Sequence, residues 1–142
     1  MRVTDCTVSD AGDICLLEKE CIECAWSEKD ISAALASSDY TFVKAEYGNE
    51  FAGYAGMRLV LDTAEICNVA VKPAFRRRGI GRGLMEALLQ RVFSSGATSV
   101  YLEVAEDNTA AIGLYSSLGF TEVYKRKRYY GEKSAYVMKL SR

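Results

Sequence analysis

Arg76 to Arg82 read RRRGIGR, and here residue spacing first suggests chemistry. Gly79 and Gly81 carry no side chain, so consecutive backbone N–H groups can converge on an anion. A strongly amphipathic run follows, with Ile80, Leu84, Met85, Leu88, Leu89 and Val92 at helical spacing. The anion would therefore also meet the positive end of a helix dipole, while Arg76, Arg77, Arg78 and Arg82 add full charges. This arrangement suits the grip of a diphosphate. A basic surface turn, with glycines placed for tight geometry alone, would have the same sequence, and a lone Gly-x-Gly does not separate the two.

The chain has no histidine. That removes Ser-His and Cys-His nucleophilic machinery together with histidine metal sites. Acid–base work near neutral pH is left to carboxylates, tyrosine, cysteine, lysine or water. Glu103 lies between Leu102 and Val104 in a β-forming stretch, so alternation sends it to the face opposite those two. A solvated strand carboxylate fits that position as well as a base does. Tyr115 follows Asn108 by two helical turns, about 10 Å along one face. Beside Ile112 and Leu118 it could equally be an aromatic core residue. Of five cysteines, Cys6, Cys15, Cys21, Cys24 and Cys67, the second close pair that a tetrahedral zinc would need is missing. The odd count argues for reduced, packed thiols, and no metal is expected.

The surrounding segments read as the elements that hold these residues. Met1 to Thr7 alternates weakly, as a first strand. Ser9 or Asp10 can cap a helix to about Cys24. Ser27 caps a second to about Ala36, with Asp30 in the capping-box place and Trp26 and Ile31 at the staple positions. Strands follow at Tyr40 to Tyr47 and Phe51 to Leu61, joined at Gly48-Asn49, and Gly53 and Gly56 suggest a bulge or close packing. Past Asp62-Thr63, Ala64 to Val71 is the strand that feeds the glycine turn. Gly96 stops the helix from Gly79 to Ser95, Thr98 to Val104 forms a strand, and a helix from Asn108 ends at Gly119. Phe120 to Arg128 and Ala135 to Leu140 close the chain, with Tyr129, Tyr130, Gly131, Glu132 and Lys133 between them. The order is strand, two helices, three strands, helix, strand, helix, two strands. It predicts a single α/β (α+β) domain over residues 1–142, a mixed sheet flanked by helices.

Composition narrows the partners. With 49% hydrophobic and 26% charged residues the chain has an ordinary globular make-up. A formal charge of −1 does not favour bulk binding to nucleic acid. No apolar run approaches a bilayer span and no signal peptide opens the sequence, so no membrane and a cytoplasmic location are expected.

Arg76-x-x-Gly79-x-Gly81 after a strand, followed by YLEVAEDNTAAIGLYSSLGF, resembles the GNAT N-acetyltransferase superfamily over nearly the whole chain. NVAVKPAFRRRGIGRGLMEALL, LEVAEDNTAAIGLYSSLGF and AWSEKD resemble, within it, the bacterial ribosomal-protein-alanine N-acetyltransferases of the RimI type. The resemblance implies a GNAT fold: a mixed, mostly antiparallel seven-stranded sheet with about four helices, splayed between strands 4 and 5. It implies acetyl-CoA as co-substrate, with its pyrophosphate on the turn from Arg76, Arg77 and Arg78 through Gly79, Ile80, Gly81 and Arg82. The amides of Val69, Ala70 and Val71 would face the carbonyl and pantetheine arm, and Asn108 would contact the cofactor. Glu103 matches the general base, Tyr115 the acid that protonates the leaving thiolate, and Tyr129 and Tyr130 the acceptor groove, with Glu132 near a basic substrate side chain. Cys67, close to the splay, would be packing. The implied reaction is direct transfer to a protein N-terminal α-amine, best known for the alanine of a small-subunit ribosomal protein. Lysine or small-amine acetylation on the same fold, or a CoA-binding module without turnover, are the other readings. Glu103 and Tyr115 together argue against the module, since a binder needs neither.

Overall fold

The computed structural model describes residues 1–21, 26–127 and 134–141, which form one seven-stranded sheet carrying four α-helices. In chain order these are β1 (Arg2–Asp5), α1 (Ala11–Cys21), α2 (Glu28–Ala36), β2 (Tyr40–Tyr47), β3 (Glu50–Val60), β4 (Thr63–Val71), α3 (Ile80–Ser94), β5 (Ser99–Ala105), α4 (Thr109–Ser117), β6 (Thr121–Arg126) and β7 (Ala135–Ser141). The spatial order is β1-β2-β3-β4-β5-β7-β6, antiparallel at every pairing except β4–β5.

Turn chemistry sets most of the boundaries. Gly48 and Asn49 both take positive φ, 60° and 74°, as a two-residue hairpin turn requires. Gly96 and Gly119 stop α3 and α4 in the left-handed region. Ser27 Oγ accepts the Asp30 N–H at 3.1 Å and starts α2. The start of α1 differs from the expected Ser9 or Asp10 cap. Val8–Asp10 is a short 3-10 turn, and the Asp10 carboxylate accepts the N–H of Thr7 at 2.7 Å. Buried Asp10 also meets Lys44 Nζ at 2.8 Å, so the head of α1 is pinned to β2. Cys24 lies outside the described residues. The β3–β4 turn falls at Leu61-Asp62, one residue before the expected place, with Leu61 at φ 56°.

Two apolar clusters cover the two faces of the sheet. Ile80, Leu84, Met85, Leu88, Leu89 and Val92 of α3 are buried with Val100, Leu102 and Val104 of β5. Each contributes roughly 1.5–3 kcal/mol relative to exposure. Ile14 and Leu17 of α1 and Ile31 of α2 pack with Phe42, Tyr54 and Ala70. β4 serves the α3 cluster with Ala64 and Ile66, and then with Val69 and Val71. That change of parity needs one extra residue. Gly56 pairs with Asn68 and Met57 with Ile66, which leaves Cys67 as a bulge that turns Val69 and Val71 to the α3 face.

The close packing expected at Gly53 and Gly56 is present. A Cβ at Gly56 would fall 2.4 Å from the Phe42 ring, and one at Gly53 would fall 2.5 Å from the Ala70 carbonyl oxygen. β4 and β5 pair over three rungs only, from Thr63↔Ser99 to Glu65↔Tyr101, and then diverge. The sheet is therefore splayed between strands 4 and 5, and it is not closed.

Gly53→Ala has to displace backbone rather than a flexible side chain. It is expected to destabilise the fold by about 1–3 kcal/mol, read as a lower urea midpoint at unchanged slope.

Candidate active site

Where β4 parts from β5, a cavity of about 690 Å³ opens on the α3 face, a size suited to a cofactor-length ligand. It is lined by Val69, Ala70 and Val71 of β4, by Arg76, Arg77, Gly79, Ile80, Gly81 and Arg82 at the start of α3, and by Asn108 and Tyr115 of the α4 segment. Phe75, Ala110, Ala111 and Leu114 complete the lining. The Lys72 N–H donates to Ala52 O on β3 at 2.8 Å. Backbone groups alternate edges along a strand, so the N–H groups of Val71 and Val69 turn the other way, toward the gap. Arg76 Nε reaches the Val71 carbonyl on that same edge at 3.3 Å.

The turn expected to hold an anion combines two left-handed residues, Arg77 at φ 65° and Gly79 at φ 75°, just ahead of the first turn of α3. A positive φ at a non-glycine residue stores backbone strain, and alternating conformations of this kind converge N–H groups on one point. The four arginines do different things. Arg77 lines the cavity, whereas Arg82 is held by Glu86 at 2.9 Å and by Ser117 Oγ of α4 at 2.7 Å. Arg78 does not line the cavity. Its guanidinium lies over Tyr47 at 5.1 Å and Phe75 at 5.7 Å. Asn108 caps α4, its Oδ1 accepting the Ala111 N–H at 3.2 Å.

Tyr115 is half-buried against Phe120, ring centroids 6.0 Å apart, and burial raises its phenol above the ordinary tyrosine value. It is therefore protonated at neutral pH. Glu103 is on the other side of the sheet. Because Leu102 and Val104 enter the α3 cluster, Tyr101 and Glu103 face away from it. A second cavity of about 320 Å³ there is lined by Glu65, Ile66, Tyr101, Leu102, Glu103, Tyr124, Arg126 and Val137. Arg126 approaches Glu103 Oε2 at 3.3 Å. Glu103 and Tyr115 thus line separate cavities with the β4–β5 gap between them. Tyr129, Tyr130 and Glu132 lie outside the described residues.

Residues 11–120 match the model of the acetyltransferase (GNAT) family. The chain belongs to the GNAT acetyltransferase family. This acetyltransferase is 40% identical over 119 residues to the [ribosomal protein bS18]-alanine N-acetyltransferase of Salmonella typhimurium, covering 81% of this chain and 80% of that one. The crystal structure of the ribosomal-protein-S18-alanine N-acetyltransferase from Escherichia coli superposes with a TM-score of 0.90 at 32% identity, over 99% of this chain and 92% of that one. Arabidopsis thaliana NAA60 in complex with acetyl-CoA shares the fold, with a TM-score of 0.85 at 17% identity over 99% and 97% of the chains.

Several residues of this acetyltransferase's two cavities were not singled out by the sequence. Tyr101 was detectable, since it lies two residues before Glu103 and alternation puts them on one face. Glu65 and Arg126 come from other strands, and nothing local marks them. Among the described residues no group of side chains is suited to a metal ion, and no helix is long and apolar enough to cross a membrane.

Cys67 sits at the bulge, just past the last β4–β5 rung. Burial, with Glu65 next in weight, pushes its thiol up to about 11. Only roughly 3 in 10,000 molecules then carry the thiolate at pH 7.5. Site-resolved labelling with iodoacetamide should find Cys67 slow at that pH, its rate rising about tenfold per pH unit to near pH 11. A thiol already fast at pH 7.5 would contradict this environment.

Proposed function

We propose that this acetyltransferase moves the acetyl group of acetyl-CoA directly onto a protein N-terminal α-amine, with Glu103 as base and Tyr115 as acid. One observation supports the reading: β4 and β5 part after three rungs, with a cofactor-sized groove that holds a phenol on one face and a carboxylate-bearing cavity on the other. Two reactants could enter from opposite sides and meet without exchanging places. The acceptor class is supported by likeness to the bS18-alanine enzymes, and acetyl-CoA by the family and by the neighbour crystallised with it. A ribosomal acceptor would put the reaction in the cytoplasm, in keeping with the free thiols of Cys6, Cys15 and Cys67.

The turn at Arg77 and Gly79 and the first amides of α3 would hold the pyrophosphate. The Val69 amide, turned to the gap, would hydrogen-bond the thioester oxygen and stabilise the charge that develops there. The incoming amine titrates near ~8, so Glu103, directly or through water, has only a modestly acidic proton to accept. As nitrogen bonds to the acetyl carbon and the carbon–sulfur bond breaks, the Tyr115 hydroxyl gives its proton to sulfur. A buried phenol protonates a thiolate against a small gradient, so the hydroxyl must touch the sulfur rather than act from a distance.

Thiol release with peptides bearing N-terminal alanine, N-terminal methionine or internal lysine tests the acceptor, with alanine expected fastest. Release only with lysine or small amines would move the enzyme to that class, and none with any acceptor, despite tight CoA binding, would favour a binding module. Tyr115→Phe should cut kcat by about 10²-fold or more while the acetyl-CoA Kd stays within about twofold. Equal losses in both would remove Tyr115 as the acid. Glu103→Gln should depress the plateau of the pH–rate profile or shift its rise upward, and an unchanged profile would exclude Glu103 as the base.

A further inference from the structure

Glu18 of α1 is a fully buried carboxyl group, 1% exposed, for which the proposed reaction has no use. Its Oε1 accepts the Tyr54 hydroxyl and Asn68 Nδ2, the latter at 2.7 Å, and its Oε2 accepts the Trp26 N–H at 2.9 Å. Toward these three described donors both oxygens act as acceptors. A buried polar group is costly unless it is hydrogen-bonded, and these three bonds satisfy both oxygens. Burial first, and then the Glu18 carboxylate, raise the Tyr54 phenol far above the ordinary tyrosine range, so this donor keeps its proton at any working pH.

The donors come from particular places. Tyr54 sits on the rung Tyr54↔Ala70 and Asn68 on Gly56↔Asn68, with only Ala55↔Val69 between them. Glu18 therefore grips both rungs that flank Val69, just past the bulge at Cys67. Here β4 no longer has β5 beside it. A strand paired along one edge can twist and change register more easily than a central one. α1 supplies from the other face the restraint that β5 does not. The third bond, to Trp26, reaches the residue before the cap of α2.

We propose that Glu18 is a positioning residue for acetyl transfer, holding the bulged segment of β4 through Tyr54 and Asn68 so that the Val69 N–H points at the thioester oxygen. This rests on the acetyl-transfer reading above. Glutamine at this position keeps its oxygen for Tyr54 and Asn68 only by turning its NH₂ toward the Trp26 N–H, so one tether or the other is lost. A neutral amide oxygen also accepts more weakly than a carboxylate, and Glu18→Gln thus loosens the grip at almost constant volume.

Three readings on the full chain test it: the Kd for CoA, kcat with an alanine-terminated peptide, and the infrared stretch of the acetyl carbonyl of bound acetyl-CoA. For Glu18→Gln, CoA affinity should stay within about threefold, because the anion turn lies at the head of α3. kcat should fall about 10- to 100-fold, somewhat less than for outright removal of an oxyanion donor. The carbonyl band should move to higher frequency, as a weaker hydrogen bond requires. A Glu18 that only stabilises the fold would lower Tm but leave the band in place and kcat within twofold, and that outcome overturns the proposal. Should Glu18→Gln not fold, Asn68→Ala decides, since it removes the tether to β4 alone. A shifted band with reduced kcat supports the proposal, and no change in either overturns it. If the wild-type chain transfers acetyl to no amine, the reaction reading fails separately, and the band comparison still decides whether Glu18 aims the amide.

Discussion

β4 leaves β5 after three rungs, and most of what is particular to this chain follows from that parting. Backbone donors inside a fold rarely go unpaired, so a strand that abandons its neighbour must be held by other means. β3 holds it along the far edge. Gly53 and Gly56 let Ala70 and Phe42 come closer than any Cβ would allow, and the bulge at Cys67 rotates the following residues so that Val69 and Val71 face the groove. Glu18 then anchors the rotated segment from the face of α1. The bulge, the glycines and the buried carboxylate sit within a few residues of one another on β3 and β4 because all three answer to the same gap.

The charges at the groove show a similar division. A net charge of −1 generates no extended basic face. Screening over about 10 Å at 0.1 M salt leaves only nearby groups to act on an anion. Arg78 stacks on Tyr47 and Phe75, which fixes the approach to the turn from β2. Arg82 bridges α3 to Ser117 of α4 and so sets the width of the groove. Arg76 reaches the carbonyl of Val71. Much of the positive charge in RRRGIGR is thus engaged with neighbouring groups, and under the proposed reaction the backbone of Arg77, Gly79 and the first turn of α3 forms the anion seat. A lysine in place of Arg78 or Arg82 would keep the charge and lose the planar stacking or the second hydrogen bond.

How far the sequence foretold this depended on the range of the interactions. The helix stops at Gly96 and Gly119, the Gly48-Asn49 hairpin and the apolar stripe of α3 were legible because each is decided within one turn of chain. The strand–turn–helix order, and with it the splay, was legible through the family motifs. The bulges were partly legible: Gly53 and Gly56 pointed to β3, where Ala52 beside Gly53 is inserted against β2, but the residue inserted between β3 and β4 is Cys67 on the partner strand. Glu18 was invisible, since its sheet donors lie 36 and 50 residues away and nothing in LLEKEC distinguishes one acid from another. The 3-10 turn Val8–Asp10 ahead of α1 was not foreseen, because Asp10 accepts the Thr7 N–H and pairs with Lys44, a contact made only when β2 is in place. Arg78 looked like its neighbours, and only Tyr47 across the fold separates it from them.

The same geometry bears on whether transfer passes through the protein. A covalent relay would need a nucleophile in the gap that is reactive at neutral pH. Cys67 lies beside the gap, but burial pushes its thiol up to about 11, and Cys6, on the β1–β2 side, is pushed up to about 12 by burial and then by Asp10. With no histidine in the chain to draw a proton from either, neither of these two described cysteines offers a good site for a stable acyl-enzyme. Under the proposed reaction the two reactants must therefore be bound together, one on each face of the sheet, and the protein's contribution is alignment across the gap. Alignment of that kind is sensitive to sub-ångström shifts of β4. That sensitivity gives a physical reason for placing a buried, three-bonded carboxylate behind Val69, where a hydrophobic side chain could fill the space and leave the strand free to drift.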